Sequence, residues 1–459
     1  MLMLEERPQV DKNTETRQIS DLPEVDLDSE RYRSIGFLRG VQMAARKHGP
    51  VLHLNLGNGD RKVLLGEARF SDCWRRNSRA LVKDVDEYPA PASLARMILD
   101  DNLTTAREGK EWEDMRTQFS PLMRYKMTSY GDAVTAAAAQ MHKSLLRTDA
   151  DRPSLWTICG TWSAMTVAHP VLGFGFSDQM VLDMVNALRK CMFHLVQVAA
   201  TSERETLLAD KILVQMRDRL EDMVRQAILQ CKAGDDTMVG VLLDQQNHPR
   251  DVEPTQEIIT KLQPVLVGAL AATVHNNSLG MFWTLLKLAQ NPDVADQVAA
   301  EANAKPADAA FHLNTAPVAL AAVREALRIT PVLPFIERKA ATDLVLEDIV
   351  IPKGTTVIFS PWIVQRSPES WEDPITFDIS RFAPDARLDM TKWFPFGLGH
   401  RGCVGNNLAL NQLSFTIGKI CGALHLALPE KTRPSYWQPT YRVLLEPRED
   451  GGIFDVTPR

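Results

Sequence analysis

The sequence predicts a mainly α-helical fold with small β-sheets near both ends, an α+β layout. Three observations carry this. From residue 67 to about residue 330, apolar positions recur mainly at helical spacing. Strand-like alternation is confined to stretches before residue 67 and after residue 340. Helices and strands do not alternate regularly, which excludes a Rossmann or barrel layout, and neither G-x-G-x-x-G nor G-x-x-x-x-G-K-[ST] occurs.

Taken in order, residues 1–30 are polar and acidic and read as an N-terminal arm, followed by a single domain at 31–459. Residues 31–47 carry Ile35, Leu38, Val41 and Met43 at helical spacing, and Gly49-Pro50 ends that helix. Residues 51–56 alternate, a turn follows at 57–60, and 62–65 continues, which predicts a hairpin. Helices are then expected at 110–127, 131–147, 154–170, 178–200, 205–232, 255–290, 294–304 and 315–329. Strands are expected at 343–351, 355–358 and 441–446. The 255–290 helix has few charges at its centre, and a helix apolar all round belongs in the middle of a fold. Its small apolar run at 265–274, VLVGALAATV, reads either as core packing or as a surface for a bulky flat ligand.

Composition narrows the function classes. The 459 residues are 45% hydrophobic and 24% charged, with no linker, repeat or low-complexity block, so one large core is expected. The net charge is −6 without a Lys/Arg run, which argues against a nucleic-acid partner. The first thirty residues lack the basic start and apolar run of a signal peptide. No stretch reads as a transmembrane anchor, and a cytoplasmic protein is the expectation. The six cysteines at 73, 159, 191, 231, 403 and 421 form no C-x-x-C pair, which disfavours zinc or dithiol chemistry.

One cysteine stands apart. In FPFGLGHRGCVGNN, Gly397, Gly399 and Gly402 precede Cys403 and Gly405 follows it. Glycines permit positive φ and close backbone approach to a flat partner. An apolar helical stripe begins at Leu408, so Cys403 lies just ahead of a helix N-terminus, where free N–H groups favour a thiolate. A single protected thiolate suits haem iron. The bland alternative is a Gly-rich turn with a buried free cysteine.

With Phe396, Gly399, Arg401, Cys403 and Gly405 in place, the loop resembles the cytochrome P450 superfamily, whose signature is F-x-x-G-x-R-x-C-x-G. The resemblance runs from about residue 30 to the C-terminus. It implies the P450 fold, with haem b between the long central helix and the helix after the cysteine loop, and Cys403 as the axial ligand of the iron. It also implies companions, and this sequence has them. Glu325-x-x-Arg328 and Arg381 match a buried structural triad. Trp112, Arg116, Arg338 and Arg401 match the groups that hold the haem propionates, and Phe396 belongs to the signature itself.

The central helix departs from the family pattern. Counted back from Asn291-Pro292 without gaps, the usual acid–Thr pair falls on His275 and Asn276, with Thr273 about one turn earlier. Three readings follow: locally satisfied polar residues, a working proton relay built from imidazole and amide, or loss of ordinary oxygen activation. The resemblance implies a monooxygenase that uses O2 and electrons from a ferredoxin or flavodoxin with its reductase. The rival is an isomerase, lyase or dehydratase that needs no reductant. Substrate is expected to meet segments 80–108, 170–210, 268–276, 331–337 and 447–453. Ala271, Ala272, Val332, Leu333 and Phe335 imply an apolar small molecule such as a terpenoid, steroid or fatty chain. Arg124, Lys126 and Lys392 are candidate cations for docking the electron carrier.

Overall fold

The computed structural model describes residues 16–57, 59–84, 105–124, 128–173, 211–249, 251–305, 316–430, 437–447 and 452–459, together with Arg96 and Asp183. The chain falls into two compact units. The first comprises Met1–Val82, Phe335–Ser370 and Met390–Gly402; the second comprises Lys83–Pro334, Trp371–Asp389 and Cys403–Arg459.

The first unit is organised by strands. These are β1 (Glu24–Asp26), β2 (Val51–Asn55), β3 (Arg61–Leu65), β4 (Leu81–Val82), β5 (Ile336–Ala340), β6 (Leu344–Leu346), β7 (Ile349–Ile351) and β8 (Thr356–Phe359). Six form one sheet in the order β1-β2-β3-β8-β5-β4, and β6 pairs with β7 separately. The expected hairpin is present, with Val51 opposite Leu65 and Asn55 opposite Arg61. Its helices are α1 (Glu30–Arg33), α2 (Phe37–His48) and α3 (Phe70–Arg76), with a short turn of helix at Pro361–Val364. The single helix expected at 31–47 is divided because Gly36 takes φ +81, which stops one helix before the next begins. The segment expected as a polar arm also packs in part. Leu22, Val25 and Leu27 are buried, and β1 pairs in parallel with β2. These few apolar residues are diluted by acidic neighbours, so segment-average polarity concealed them.

The second unit is built from helices: α4 (Lys110–Arg124), α5 (Thr128–Leu145), α6 (Leu155–Leu172), α7 (Lys211–Gln230), α8 (Met238–Gln245), α9 (Gln256–Gln290), α10 (Pro292–Asn303), α11 (Pro317–Ile329) and α12 (Asn406–Ala423). The helix expected at 178–200 lies outside the described residues. Starts and stops have local causes. Ser154 Oγ accepts from the Thr157 N–H at the head of α6, and Gly173 ends it in the left-handed conformation. Thr255 caps α9 in the same way. Strands β9 (Leu424–Ala427) and β12 (Asp455–Pro458) pair antiparallel, as do β10 (Pro439–Arg442) and β11 (Leu444–Pro447). The one strand expected at 441–446 is therefore a hairpin. It reverses at Val443, φ +65, a conformation for which a β-branched residue gives no sequence signal.

The core of this unit is α9. Every residue from Asn277 to Leu286 is buried, so the helix is enclosed on all sides there. Gly280 permits close approach of α12: a Cβ at that position would come within 3.3 Å of Leu413 Cδ1. Asn277 Nδ2 also donates to Gln412 Oε1 on α12 at 2.7 Å.

A buried charge cluster fixes α11. Arg328 Nε and Nη2 donate to the two oxygens of Glu325 at 2.6 and 2.8 Å, the forked geometry that suits arginine. Both side chains are fully buried. The Asp378 N–H donates to Glu325 at 3.0 Å, and Arg381 Nε lies 3.5 Å from the same carboxylate. Arg328 Nη1 reaches the Pro374 carbonyl at 2.8 Å, and its guanidinium lies over the Trp371 ring. The cluster thus ties segment 371–389 to α11. Glu325→Ala should cost about 3–5 kcal/mol, because it strands Arg328 as a buried charge without its carboxylate. Denaturant unfolding measures this, and a loss below about 1 kcal/mol, the level of a surface pair, would show the cluster to be incidental.

Candidate active site

Cys403 comes three residues before α12, whose N-cap is Gly405. Among the described cysteines it is the one exposed; Cys73, Cys159, Cys231 and Cys421 are buried. Burial pushes the Cys73 and Cys421 thiols up to about 12. Cys403 is exposed, yet enough protein surrounds its sulfur for desolvation to dominate, as for a side chain open on one side. Its pKa is raised by that desolvation, against the opposing pull of the Gly405 N–H and the Arg116 charge. The helix start alone therefore does not produce a free thiolate. The site offers one sulfur, one backbone donor and one guanidinium, a donor set suited to a single thiolate on one cationic metal. The residues fit a haem iron on that ground.

Arg116 stands on α4, and its guanidinium lies 5.6 Å from the ring of Trp112, one turn earlier and buried. Desolvation lowers the Arg116 pKa, and the Cys403 charge opposes this. The second unit thus brings together Trp112, Arg116 and Cys403.

Arg338, Phe396 and Arg401 belong to the first unit. Arg338 stands on β5 opposite Val357, is half-buried, and donates to the Glu337 carbonyl at 2.6 Å. Phe396 meets Trp393 edge-on at 6.0 Å. Arg401 is half-buried. The glycine loop that carries it is shaped by two turns, Gly397 N–H to Phe394 O and Gly402 N–H to Gly399 O, each 3.0 Å. At Gly399, φ +76, a Cβ would lie 2.4 Å from Ser78 Cβ, so only glycine fits without a shift. Phe335 is committed to packing, edge-on to Phe37 at 5.4 Å. Lys392 is half-buried in this unit.

On α9, Ala271, Ala272 and Thr273 are half-buried and Asn276 is exposed, which interrupts the enclosed stretch between Val265 and Leu286. Thr273 and Asn276 donate to the Ala269 and Ala272 carbonyls, each at 2.7 Å. His275 is on another face. It is buried, with Nε2 3.0 Å from Glu446 Oε1. Glu446 Oε2 lies 3.1 Å from Arg442 Nη1. Burial raises the Glu446 pKa, but hydrogen bonding and charge from His275 and then Arg442 outweigh it, holding the carboxyl below its ordinary value. The side chains of these two neighbours are thus separated, Asn276 toward the open face and His275 into a buried hydrogen bond with Glu446. Sequence reasoning missed Glu446. The hairpin that delivers it was not legible, and a lone Glu near the C-terminus carries no signal.

Expected substrate segments 80–108, 170–210 and 447–453 lie largely or partly outside the described residues, as do Lys126 and the side chain of Arg124. Val332 and Leu333 are half-buried in the second unit.

The cytochrome P450 family model matches residues 34–451. The chain belongs to the cytochrome P450 family. Among relatives of the P450 is cytochrome P450 CYP99A1 of Sorghum bicolor, 24% identical, covering 85% of this chain and 83% of that one. Dihydroniloticin synthase CYP71CD2 of Azadirachta indica is 25% identical over 85% of this chain and 81% of its own. The solved heme domain of cytochrome P450DA superposes with TM-score 0.80 at 19% identity, covering 97% of this chain and 98% of that one. A zebra fish cytochrome P450 solved with progesterone gives 0.73 at 19%, over 92% and 99%. The P450 is accordingly an oxidoreductase of the monooxygenase kind. It carries haem with thiolate-ligated iron and acts on a small organic substrate with O2 and electrons from a redox partner.

In the haem-free protein, Cys403 should be the first of the described cysteines to react with a maleimide at mildly alkaline pH. Peptide mapping checks this, and earlier labelling of Cys73, Cys159, Cys231 or Cys421 would contradict the exposure pattern.

Proposed function

We propose that Cys403 would supply the thiolate that holds the haem iron, and that this P450 oxidises, chiefly by hydroxylation, an apolar molecule of terpenoid, steroid or fatty-chain type. The observation that carries the ligand assignment is the setting of Cys403: an exposed thiol at a helix start, with the Gly405 N–H and Arg116 opposing its desolvation. Bound there, haem would supply the oxygen-activating redox chemistry. The chain's own groups do the rest. Gly405 and Arg116 stabilise negative charge on the Cys403 sulfur. By the family resemblance, Trp112, Arg116, Arg338 and Arg401 would each be donors for the propionates, with arginine's fork matched to a carboxylate. By the same resemblance, Phe396 would pack beside the cofactor.

On the open face of α9, Asn276 would hold a water through its amide, and that water would carry protons to the reaction, with the Thr273 hydroxyl one turn away. His275 supports that face from behind through Glu446. Ala271, Ala272, Val332 and Leu333 favour an apolar substrate. A relative named for dihydroniloticin synthesis and a structural neighbour solved with progesterone support the same class. Electrons come from a separate ferredoxin or flavodoxin with its reductase, in the cytoplasm. The helix Gln256–Gln290 is long and apolar enough to cross a membrane, but it is the enclosed core helix.

The purified protein, reduced under carbon monoxide, should show the red-shifted main band of thiolate-ligated haem, and Cys403→Ser should abolish it. A variant that keeps the band would sink the ligand assignment. With substrate, O2 and a reductase system, Asn276→Ala should lower product formed per electron pair by about tenfold or more, and Asn276→Thr should preserve it. Turnover of substrate without any reductant would instead identify an isomerase, lyase or dehydratase.

A further inference from the structure

His275 stands where the family's acid would be expected, yet its imidazole is bonded inside the protein. The residue it meets, Glu446, is on β11, which exists as a separate strand because the chain reverses at Val443. Antiparallel pairing sets Tyr441 opposite Leu445 and Thr440 opposite Glu446. The Glu446 carboxylate lies between His275 and Arg442, at 3.0 and 3.1 Å. An imidazole nitrogen facing a carboxylate carries its hydrogen in either protonation state, so Nε2 donates and the ring orientation is fixed. Trp156 closes the other side, edge-on to the imidazole at 5.6 Å.

The neighbouring residue extends the tie. The Leu445 carbonyl accepts from Trp283 Nε1 on α9 at 2.9 Å, and the Leu445 N–H donates to the Val332 carbonyl at 2.9 Å. One strand is therefore bonded on one side to the central helix, through His275 and Trp283, and on the other to the 331–334 stretch. The half-buried residues of those two elements, Ala271 and Ala272 on one and Val332 and Leu333 on the other, border the proposed substrate site. Their separation is set by the strand both are bonded to.

We propose that His275 is a positioning residue for substrate, its bond to Glu446 clamping β11 to the central helix and so setting the width between that helix and the 331–334 stretch. The inference rests on the substrate reading above and assigns the departure from the acid–Thr pattern a purpose: the position serves substrate fit and not proton supply. Removing the imidazole leaves a buried carboxylate with the guanidinium of Arg442 and removes one of the strand's two bonds to the central helix, so a large ligand must order the loosened strand on binding.

The test uses the haem-loaded protein and two iron-binding probes of different size, imidazole and 4-phenylimidazole, titrated by difference spectroscopy. Amide hydrogen exchange over 439–447 is followed in parallel. His275→Ala should weaken 4-phenylimidazole about tenfold or more while imidazole changes by less than about twofold, with faster exchange in the hairpin. His275→Gln, whose amide N–H can still meet the carboxylate, should recover most of the discrimination. A merely destabilising change would move both probes together, and that parallel shift, or unchanged hairpin exchange, overturns the proposal. If His275→Ala does not fold, the comparison of His275→Gln with Glu446→Leu decides it: only the second should lose discrimination. A wild-type protein without the red-shifted carbon monoxide band would refute the haem-ligand reading, whereas hairpin exchange decides the clamp with or without haem.

Discussion

A helix without a polar face cannot lie at a surface, and the second unit of this P450 is arranged to enclose one. Around α9 the fold supplies packing on every side from Asn277 to Leu286. Enclosure creates a second requirement, because the polar groups that remain on the helix must find partners within the protein. Asn277 finds Gln412 on α12, Trp283 finds the Leu445 carbonyl, and His275 finds Glu446. Each of these bonds goes to a different part of the chain or a different strand position. The helix is therefore both the core and the frame to which the C-terminal hairpin and the cysteine-loop helix are registered.

The surroundings of Cys403 follow a related logic. A thiol that is too well solvated makes a poor selective ligand, and one that is sealed off cannot reach a cofactor. Here protein crowds the sulfur on most sides, while the Gly405 N–H and Arg116 compensate part of the cost of charge. The balance still favours the neutral thiol in the bare chain. The remaining stabilisation of a thiolate must come from a metal cation, which couples cofactor binding to deprotonation. The Arg116–Trp112 pair on α4 links this chemistry to a helix far earlier in sequence.

Much of this was legible in the residues. Long apolar helices with explicit caps, such as Leu155–Leu172 and Gln256–Gln290, were placed within a few residues. The Glu325–Arg328 spacing foretold a shared helix face, although its complete burial and its hold on Pro374 and Asp378 required the tertiary structure. Three features were hidden for physical reasons. Gly36 looked like one more residue in a helical stripe, but its positive φ divides that helix. Leu22, Val25 and Leu27 were masked by acidic neighbours. The turn at Val443 has neither Gly, Asn nor Asp to announce it, so the partner of His275 could not be foreseen.

That turn bears on the order in which the protein assembles. A valine at φ +65 opposes reversal of the chain locally, so the β10–β11 hairpin gains little from its own turn. What holds it comes from distant sequence, from residues 275, 283 and 332. Contacts with such long loops form late, after the helices they depend on have packed. The β10–β11 strands are thus dependent structure, docked onto helices packed before them. On the ribosome, the C-terminal segment meets its template already built.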